Sequence, residues 1–444
     1  MKTSRKNEAF FMKKVALHNL GCKVNSYEME YMQQKLMESG YEIVPFEQKA
    51  DVYIINTCSV TNIADRKSRQ MIHKARQTNE EALVIAAGCY VQGRASEEIH
   101  EDGVDIIIGN NKKSQIVDLL EDYFATECDR ETVRNINTDK SFDAIIDIND
   151  TKEYDSMLLK KPTEHTRAFI KIQDGCNCFC SYCIIPFVRG RERSRDLGDI
   201  VSEVEQLSKA GCAEVVLTGI HLSSYGRDND SSLLEVIDRV SEVDGIERIR
   251  LGSLEPQIIT EDFVKAIAAN KKFCPHFHLS LQSGSDGVLK RMNRHYSASE
   301  FYAITELLRK YFDDPALTTD VIVGFPGESE EEFDETYRFL EKVEFYETHI
   351  FKYSKRAGTN AAKMDGQLTE KQKTQRANVL SRLNEKNKKA YMDRHVGKEL
   401  EVLLEESIVV DGKIMMTGYS KEYIKCNLDT SAKAGEIAKI VYIS

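Results

Sequence analysis

The sequence predicts an α/β protein built from three parts: a flavodoxin-like parallel sheet, a partial (β/α)6 TIM-like barrel and a small C-terminal β-barrel. Short β-rich runs alternate with amphipathic stretches through most of the chain, a pattern typical of parallel strands covered by helices. Near the C-terminus the pattern changes to short alternating runs separated by Asp-Gly and Ala-Gly turns, which indicates antiparallel strands. With 444 residues, the chain is long enough for two or three domains that each bury a core.

Residues 1–125 are predicted to form the flavodoxin-like domain, because four strand-like runs there are each followed by a helical stretch. Residues 126–165 lose this periodicity and gain Asp, Asn and Thr, which predicts a linker. The four strand-like runs are KKVALHNLG, DVYIINTC, ALVIAAGC and VDIIIGN.

Residues 166–395 are predicted to form the partial barrel, whose chemistry would lie at the carboxyl ends of its strands. A last helix is expected near residues 369–393. Residues 396–444 are predicted to form the small β-barrel, a fold that often binds RNA. The six strand-like runs of the partial barrel are RAFIKIQ, EVVLTGIHL, RIRLGSLEP, HFHLSLQSG, LTTDVIVGF and ETHIFKYS.

Composition narrows the class of protein. The N-terminal residues do not resemble a signal peptide and no segment has the apolar length of a membrane span, so we expect a cytoplasmic protein without a membrane partner. In a reducing compartment, 11 cysteines favour metal binding or catalysis over disulfides. The net charge is −11, yet Lys and Arg are dense between Lys352 and Lys398. That basic run fits either a solvated helix face or a contact with nucleic acid.

Three cysteines, Cys176, Cys180 and Cys183, follow the first barrel strand with the spacing C-x3-C-x2-C. Three thiolates fit three corners of a cubane [4Fe-4S] cluster and leave the fourth iron open for a small molecule. A zinc loop or a redox-active thiol cluster is the alternative. Cys178 is interpreted as a bystander, because a strained loop would be needed to bring its thiol to the same metal.

A second set of cysteines, Cys22, Cys58 and Cys89, stands at the carboxyl ends of three predicted strands in the first domain. Those ends meet at one edge of a parallel sheet, so the three thiols can approach one another and bind a second metal cluster. Buried structural cysteines are the alternative. The remaining cysteines show no such pattern and are interpreted as ordinary thiols: Cys128, Cys212, Cys274 and Cys426.

From about Lys14 to the C-terminus the chain resembles the radical SAM methylthiotransferases, and its tail is similar to a TRAM domain. The cysteine run with its RGRERSR extension is the most specific match, whereas GFPGE occurs in many radical SAM enzymes. The matching segments are LGCKVNSYE, INTCSVTNIADRKSRQ, AAGCYVQ, DGCNCFCSYCIIPFVRGRERSR, LTGIHLSSYG, SLQSGSD, DVIVGFPGE and FKYSKRAGT.

The resemblance implies two [4Fe-4S] clusters with different tasks. The cluster on the C-x3-C-x2-C cysteines would cleave S-adenosylmethionine, and an auxiliary cluster on the second set would supply sulfur. The substrate branch most similar to this sequence modifies C2 of N6-threonylcarbamoyladenosine at position 37 of tRNA. Two alternatives are the branches that act on N6-isopentenyladenosine and on an aspartate of a ribosomal protein. An RNA-binding iron–sulfur sensor is a non-enzymatic alternative, but it would need no S-adenosylmethionine pocket.

The resemblance, together with strand-end geometry, implies contacts with S-adenosylmethionine. Thr218 and Gly219 would lie near the methionyl amine, Ser283 near the ribose, and Val323 and Gly324 near the adenine. Glycines at such positions allow a ligand to approach the backbone closely, although each is also a common turn residue.

Substrate chemistry implies a further set of residues. A threonylcarbamoyl group carries a carboxylate, so its pocket should offer cationic or hydroxyl donors, and Arg250 and Ser253 on RIRLGSLEP are the candidates. An ion pair inside the barrel is the alternative for Arg250. The basic run and the tail would bind the anticodon stem-loop of tRNA, so that removing the tail would lower tRNA affinity and leave both clusters intact. A sulfur donor and an electron donor protein are further expected partners.

Overall fold

The computed structural model describes residues 12–125, 142–162, 166–410 and 412–443. The chain divides into two compact units, residues 1–148 and 149–444. Much of the predicted linker lies outside the described residues. Its described part is tied to the domains by hydrogen bonds: the backbone N–H of Ala144 donates to the carbonyl of Ile107, and that of the buried Leu159 donates to the carboxylate of Glu203. The predicted division into residues 1–125, 126–165, 166–395 and 396–444 stays a prediction.

The first unit contains a parallel five-stranded sheet in the order β2-β1-β3-β4-β5, the flavodoxin-like arrangement that the sequence predicts. Every residue of β3 and β4 is buried, as expected for central strands covered on both faces. The strands are β1 Lys14–Asn19, β2 Glu42–Val44, β3 Val52–Thr57, β4 Leu83–Gly88 and β5 Ile106–Ile108, and the helices are α1 Lys23–Glu38, α2 Asn62–Thr78, α3 Cys89–Gln92, α4 Ser96–Glu101 and α5 Ile116–Ala125, with a 3₁₀ turn at Lys113–Gln115.

The second unit contains the partial barrel, formed by two four-stranded sheets in the orders β7-β6-β8-β9 and β10-β11-β12-β13. Gly252 alone separates β9 from β10, so the two sheets continue into one another and six successive strand positions run parallel. The strands are β6 Ala168–Asp174, β7 Arg193–Ser194, β8 Glu214–Gly219, β9 Arg248–Leu251, β10 Ser253–Leu254, β11 His276–Gln282, β12 Ala316–Val323 and β13 Glu347–Lys352.

Helices connect the barrel strands, and several begin with local sequence signals. Ser297, Ser329 and Thr369 each form a capping box with the Glu or Gln three residues later, which satisfies backbone N–H groups at the helix start. In the described ranges, none of the helices has the length and apolar character to cross a membrane. The helices are α6 Ile185–Val188, α7 Leu197–Lys209, α8 Leu233–Ser241, α9 Glu261–Ala269, α10 Asp286–Arg291, α11 Ala298–Tyr311, α12 Glu330–Val343 and α13 Glu370–Asp393, with 3₁₀ turns at Leu222–Ser224, Pro256–Ile258 and Ala361–Lys363.

The tail forms an antiparallel half-barrel in the order β16-β15-β14-β17, which confirms the predicted β architecture. Within residues 412–443, the edge strands β16 and β17 do not pair with each other, so the half-barrel stays open there. The strands are β14 Glu399–Val410, β15 Lys413–Ser420, β16 Lys425–Leu428 and β17 Ile437–Val441.

The tail packs against the amino ends of the barrel strands. Ala316, the first residue of β12, belongs to one buried cluster with Val402 and Ile424 of the tail. His276, the first residue of β11, stacks on Tyr423 with ring centroids 4.0 Å apart. The tail therefore closes the end of the barrel opposite to the one where the sequence places the cysteine loop.

Candidate functional site

The cysteine loop leaves β6 through a tight crossing with the RGRERSR segment. Gly175 has a φ of +74°, and a side-chain carbon there would lie 1.8 Å from the carbonyl oxygen of Arg191. The backbone N–H of Cys176 donates to the carbonyl of Gly190 over 3.0 Å. Only glycine fits this crossing, which explains why the cysteine run and its arginine-rich extension form one sequence motif.

A buried carboxylate under the loop explains two of the four arginines of RGRERSR, Arg189 and Arg193. Asp174 lies 2.6 Å from the ammonium of Lys171, 3.3 Å from the guanidinium of Arg189 and 3.9 Å from that of Arg193. All four side chains are at most 2 % exposed. Because buried charges of one sign require partners of the other, these arginines hold the loop in place from below and do not face solvent.

The thiols of the loop receive hydrogen bonds from two directions. The backbone N–H of Cys178 donates to Sγ of Cys176 over 3.4 Å, and Nη1 of Arg294 donates to Sγ of Cys180 over 3.2 Å. Burial raises the pKa of the Cys180 thiol, and it raises the pKa of Cys183 to about 12. Metal ligation requires the thiolate, so metal binding at this loop releases protons and is favoured by the arginine donor.

Cys178 is less isolated than the bystander interpretation suggests. Its thiol lies 3.6 Å from Nε2 of His221, and the ligand atoms of Cys176, Cys178 and His221 all lie within 4.8 Å of one another. The strained loop that such an approach requires is present, because Phe179 has a φ of +47°. These three residues offer an alternative ligand set for a single metal ion, alongside the cluster set of the C-x3-C-x2-C spacing.

Electrostatics explain how this alternative set is held. Nδ1 of His221 lies 2.8 Å from a carboxylate oxygen of Glu192. Burial lowers the pKa of His221, but hydrogen bonds with Cys178 and Glu192 outweigh it and raise the pKa to about 9. The imidazolium therefore stabilises a nearby thiolate at neutral pH.

A second buried pair stands beside the loop. Arg294 forms an ion pair with Glu255, and the hydroxyl of Tyr296 donates to the carbonyl of Ser280 over 2.7 Å. Asn293 donates to the carbonyl of Phe179 over 3.1 Å and so supports the strained residue. Sequence reasoning missed Arg294 and Asn293, because they follow α10 and lie outside every recognised motif.

The residues expected to contact S-adenosylmethionine lie at the carboxyl ends of β8, β11 and β12, at the same end of the barrel as the cysteine loop. Thr218 and Gly219 end β8. A Cβ atom added at Gly219 would lie 2.9 Å from Cβ of Gln173, so the absence of a side chain leaves room for Gln173. Their contacts with the cofactor stay a prediction.

The other three cofactor candidates also have protein neighbours. The hydroxyl of Ser283 lies 3.1 Å from that of Thr336. Val323 ends β12 and is buried, and the following Gly324 has a φ of +71° with Lys373 packed where its side chain would be. The loop after β12 is thus tightly packed, and the assignments at Ser283, Val323 and Gly324 stay predictions.

The second set of cysteines occupies one edge of the first-unit sheet. Thr57 and Gly88 pair in register, so Cys58 and Cys89, which follow them, leave neighbouring strands at the same level. A side-chain carbon on Gly21 would lie 3.0 Å from Cβ of Cys58, which places the residue before Cys22 against Cys58. The three cysteine-bearing segments therefore converge as the strand pattern predicts, and their ligand role stays a prediction.

Three of the four remaining cysteines lie within the described residues. Cys212, Cys274 and Cys426 are buried, and Cys128 lies outside the described residues. Burial raises the pKa of both Cys274 and Cys426 to about 11, so these two remain protonated at neutral pH.

Comparisons with known proteins agree with this geometry. A model of the radical SAM superfamily matches residues 170–340, and a model described as uncharacterized protein family UPF0004 matches residues 14–109. The threonylcarbamoyladenosine tRNA methylthiotransferase MtaB of Bacillus subtilis is 40% identical over 435 residues, which cover 97% of this chain and 93% of that protein. This chain belongs to the radical SAM tRNA methylthiotransferases of the MtaB type.

Less similar proteins also match most of this chain. MtaB of Thermotoga maritima is 36% identical and covers 93% of this chain and 91% of its own length. The tRNA-2-methylthio-N(6)-dimethylallyladenosine synthase of Acetivibrio thermocellus is 33% identical and covers 96% of this chain and 87% of its own length. The radical S-adenosylmethionine methyltransferase TsrM from Kitasatospora setae superposes with a TM-score of 0.54 at 14% identity, over 76% of this chain and 73% of that one, which shows the shared fold alone.

In this methylthiotransferase, the predicted substrate role of Arg250 does not fit its location. Arg250 is 2 % exposed, and its Nε donates to Glu214, the first residue of β8, over 2.8 Å. Its Nη1 and Nη2 donate to the carbonyls of Lys421 and Ser420 in the tail. The guanidinium thus points away from the cysteine loop and has its donors occupied. Ser253 is exposed on β10, and its role stays a prediction.

Much of the basic run is paired with acidic residues of the same enzyme. Arg376 is buried between Glu328 and Glu330, with 2.7 Å to each. Lys388 lies 2.8 Å from Glu347. These charges attach α13 to the barrel, so they are poor candidates for phosphate contacts, whereas Lys371 and Arg382 on the same helix are exposed.

Proposed function

We propose that this enzyme attaches a methylthio group to C2 of N6-threonylcarbamoyladenosine at position 37 of tRNA, with S-adenosylmethionine and two [4Fe-4S] clusters. The observation that carries this proposal is the near full-length similarity, at 36–40% identity, to relatives named for that nucleoside. The cysteine loop at the barrel mouth and the converging cysteines of the first unit support the two-cluster part.

The first cluster would be held by Cys176, Cys180 and Cys183. The donor set fits, because the loop is already ordered by the Gly175 crossing and an arginine N–H points at the sulfur of Cys180. A [4Fe-4S] cluster with bound S-adenosylmethionine supplies hydrogen-atom abstraction from carbon positions that no side-chain base can deprotonate. Arg294 neutralises charge at the ligand sulfur, and Glu255 fixes the guanidinium.

The auxiliary cluster would be held by Cys22, Cys58 and Cys89. The N–H of the Asn110 side chain lies 3.5 Å from Sγ of Cys89, and Cys22 stands at the N-cap of α1, where the helix dipole favours a thiolate. Both features stabilise deprotonated sulfur, which metal ligation requires. The partners of this enzyme would then be the anticodon stem-loop of tRNA, a sulfur donor and an electron donor protein.

Mass spectrometry of nucleosides tests the reaction. The reconstituted enzyme, incubated with tRNA that carries threonylcarbamoyladenosine or isopentenyladenosine at position 37, should add a methylthio group to the threonylcarbamoyl nucleoside. Methylthiolation of the isopentenyl nucleoside alone would assign the enzyme to the other branch.

Iron analysis tests the two ligand sets. Replacing Cys176, Cys180 and Cys183 together with alanine should halve the bound iron and abolish S-adenosylmethionine cleavage. Replacing Cys22, Cys58 and Cys89 should also halve the iron, leave cleavage in place and remove methylthiolation.

Cys178→Ser is the matched control, because it removes a thiol from the same loop and leaves all six proposed ligands in place. It should leave iron content and cleavage unchanged. Loss of iron in Cys178→Ser would favour the alternative set of Cys176, Cys178 and His221.

A further inference from the structure

The inner faces of the last three barrel strands carry a group of polar residues that the cluster chemistry does not use. Strand register places Asp320 of β12 opposite His349 of β13, and His278 of β11 opposite Thr318 of β12. Nε2 of His278 lies 3.4 Å from a carboxylate oxygen of Asp320. The rings of His278 and His349 are stacked with centroids 5.5 Å apart, and one ligand atom from each of the three residues lies within 4.8 Å of the others.

The face of these strands that carries the polar group lies inside the barrel, because the opposite face packs against the outer helices. Phe277, next to His278, packs edge-on against Phe312 with centroids 5.1 Å apart, at the end of helix α11 on the outside. Ile322, two residues after Asp320, packs in a cluster with Tyr182 of the cysteine loop. Two residues of a strand span about 7 Å, so the polar group lies one strand repeat below that loop.

The group is accessible and oriented. His278 is 9 % exposed, the Asp320 side chain is 29 % exposed and His349 is exposed. Nδ1 of His278 lies 3.0 Å from the hydroxyl of Thr318, which fixes the ring with Nε2 towards Asp320. Ser253 pairs in register with His278 and is exposed on the same side of the sheet. A ligand that enters from the barrel mouth can therefore reach donors and acceptors here.

We propose that His278, Asp320 and His349 form the subsite that binds the threonylcarbamoyl side chain of the target adenosine. This inference rests on the proposed function. The imidazole of His349 offers an N–H donor to the threonyl carboxylate, while His278 holds Asp320 in place. Asp320 accepts from a urea N–H or the threonyl hydroxyl. An isopentenyl group offers none of these contacts, so binding it would cover His349 and Asp320 without giving them new hydrogen bonds. Sites of this kind reject such analogues strongly.

RNA binding tests the subsite without any need for turnover. The probes are anticodon stem-loop RNAs of one sequence that carry threonylcarbamoyladenosine, isopentenyladenosine or unmodified adenosine at the target position. Binding of each probe to the reconstituted full-length enzyme is measured by fluorescence anisotropy. The selectivity is the ratio of the affinities for the threonylcarbamoyl and unmodified probes.

His349→Ala and Asp320→Asn should each lower this selectivity roughly 10- to 100-fold, because each removes a charge-assisted hydrogen bond. Affinity for the unmodified probe should not change. His73→Ala is the matched control, an exposed histidine on the first unit, and should keep the wild-type ratio. Iron content and thermal melting of each variant confirm that it is folded.

Two results would overturn the proposal. One is an unchanged selectivity ratio in both folded variants. The other is a divalent metal, bound in addition to cluster iron, that elemental analysis finds in the wild-type enzyme and not in His349→Ala or Asp320→Asn. If the wild-type enzyme methylthiolates only the isopentenyl substrate, the proposed function itself fails, which is distinguishable from loss of the subsite alone.

Discussion

The two ends of the barrel each contain a buried arginine–glutamate pair, yet the pairs serve different purposes. At the carboxyl end, Arg294 and Glu255 are 5 % and 15 % exposed, and the arginine also donates to the sulfur of Cys180. At the amino end, Arg250 and Glu214 are 2 % and 1 % exposed, and the arginine also donates to two carbonyls of the tail.

The two pairs carry the same charges and differ in what the arginine's remaining N–H groups contact: a thiol at the carboxyl end and backbone carbonyls at the amino end. The chain itself occupies the donors of Arg250, so that arginine can only hold the tail in place. Arg294 instead directs one donor at the sulfur of Cys180, a thiol of the proposed cluster set. Two pairs of the same residue types should therefore respond differently to mutation.

Removal of the tail should have the largest effect. Truncation after Met392 strips the carbonyl partners from Arg250 and uncovers the shared core at Ala316, so the protein should lose its cooperative melting transition and its soluble yield. The sequence predicts that both clusters survive this truncation. The shared core of tail and barrel makes their loss the expected result. A truncated protein that melts like the full-length one would show that the amino end is not sealed by the tail.

Arg250→Ala should have the next largest effect, about 3 kcal/mol of lost unfolding free energy, because it leaves Glu214 and two buried carbonyls with fewer partners. Urea denaturation measures the loss. Selectivity for threonylcarbamoyl RNA should be unchanged at temperatures where the variant is folded. A selective loss of that RNA at full stability would restore Arg250 to the substrate site.

Arg294→Ala should cost less stability, about 1–2 kcal/mol, because Glu255 is less deeply buried than Glu214 and can take up a proton. Burial already raises the pKa of Glu255, and losing the arginine raises it further. A raised carboxyl pKa destabilises the folded state above that pKa, so the deficit should be larger at pH 8 than at pH 5. S-adenosylmethionine cleavage should fall at both values, and a pH-independent deficit would exclude this account.

Lys389→Ala should have the smallest effect. Lys389 and Asp393 form an exposed pair one helical turn apart, with side chains 75 % and 49 % exposed. Solvent screens such pairs, so the change in unfolding free energy should stay within about 0.5 kcal/mol. A larger loss would show that the basic run stabilises α13 through its surface charges as well as its buried ones.

The sequence predicts most of the fold and the convergence of the cysteines, because strand periodicity places Cys58 and Cys89 directly after paired strands. It does not predict which partners a long side chain such as that of Arg250 will contact. Arg250 bonds to a carboxylate on the preceding strand and to carbonyls of the tail, and neither contact has a local signal.

The same limit applies to two further groups of residues. The arginines of RGRERSR mark the motif, but only the fold shows that Arg189 and Arg193 pair with Asp174 beside the chain crossing at Gly175. Likewise, His278, Asp320 and His349 lie on different strands, and only the register of those strands brings them together. Long-range register and chain crossings are tertiary facts that periodicity cannot supply.

Because the tail closes the amino end of the barrel, the barrel cannot be completed until the tail has been synthesised. A ribosome delivers the chain from its N-terminus, so β9 with Arg250 is complete long before the carbonyls of Ser420 and Lys421 exist. Until then, the guanidinium must stay hydrated and the barrel floor remains open to water. The tail thus completes the interior of a domain whose first strand was made long before it. A nascent chain that stalls before β14 has all six cysteines of the two proposed ligand sets but no finished barrel to hold them.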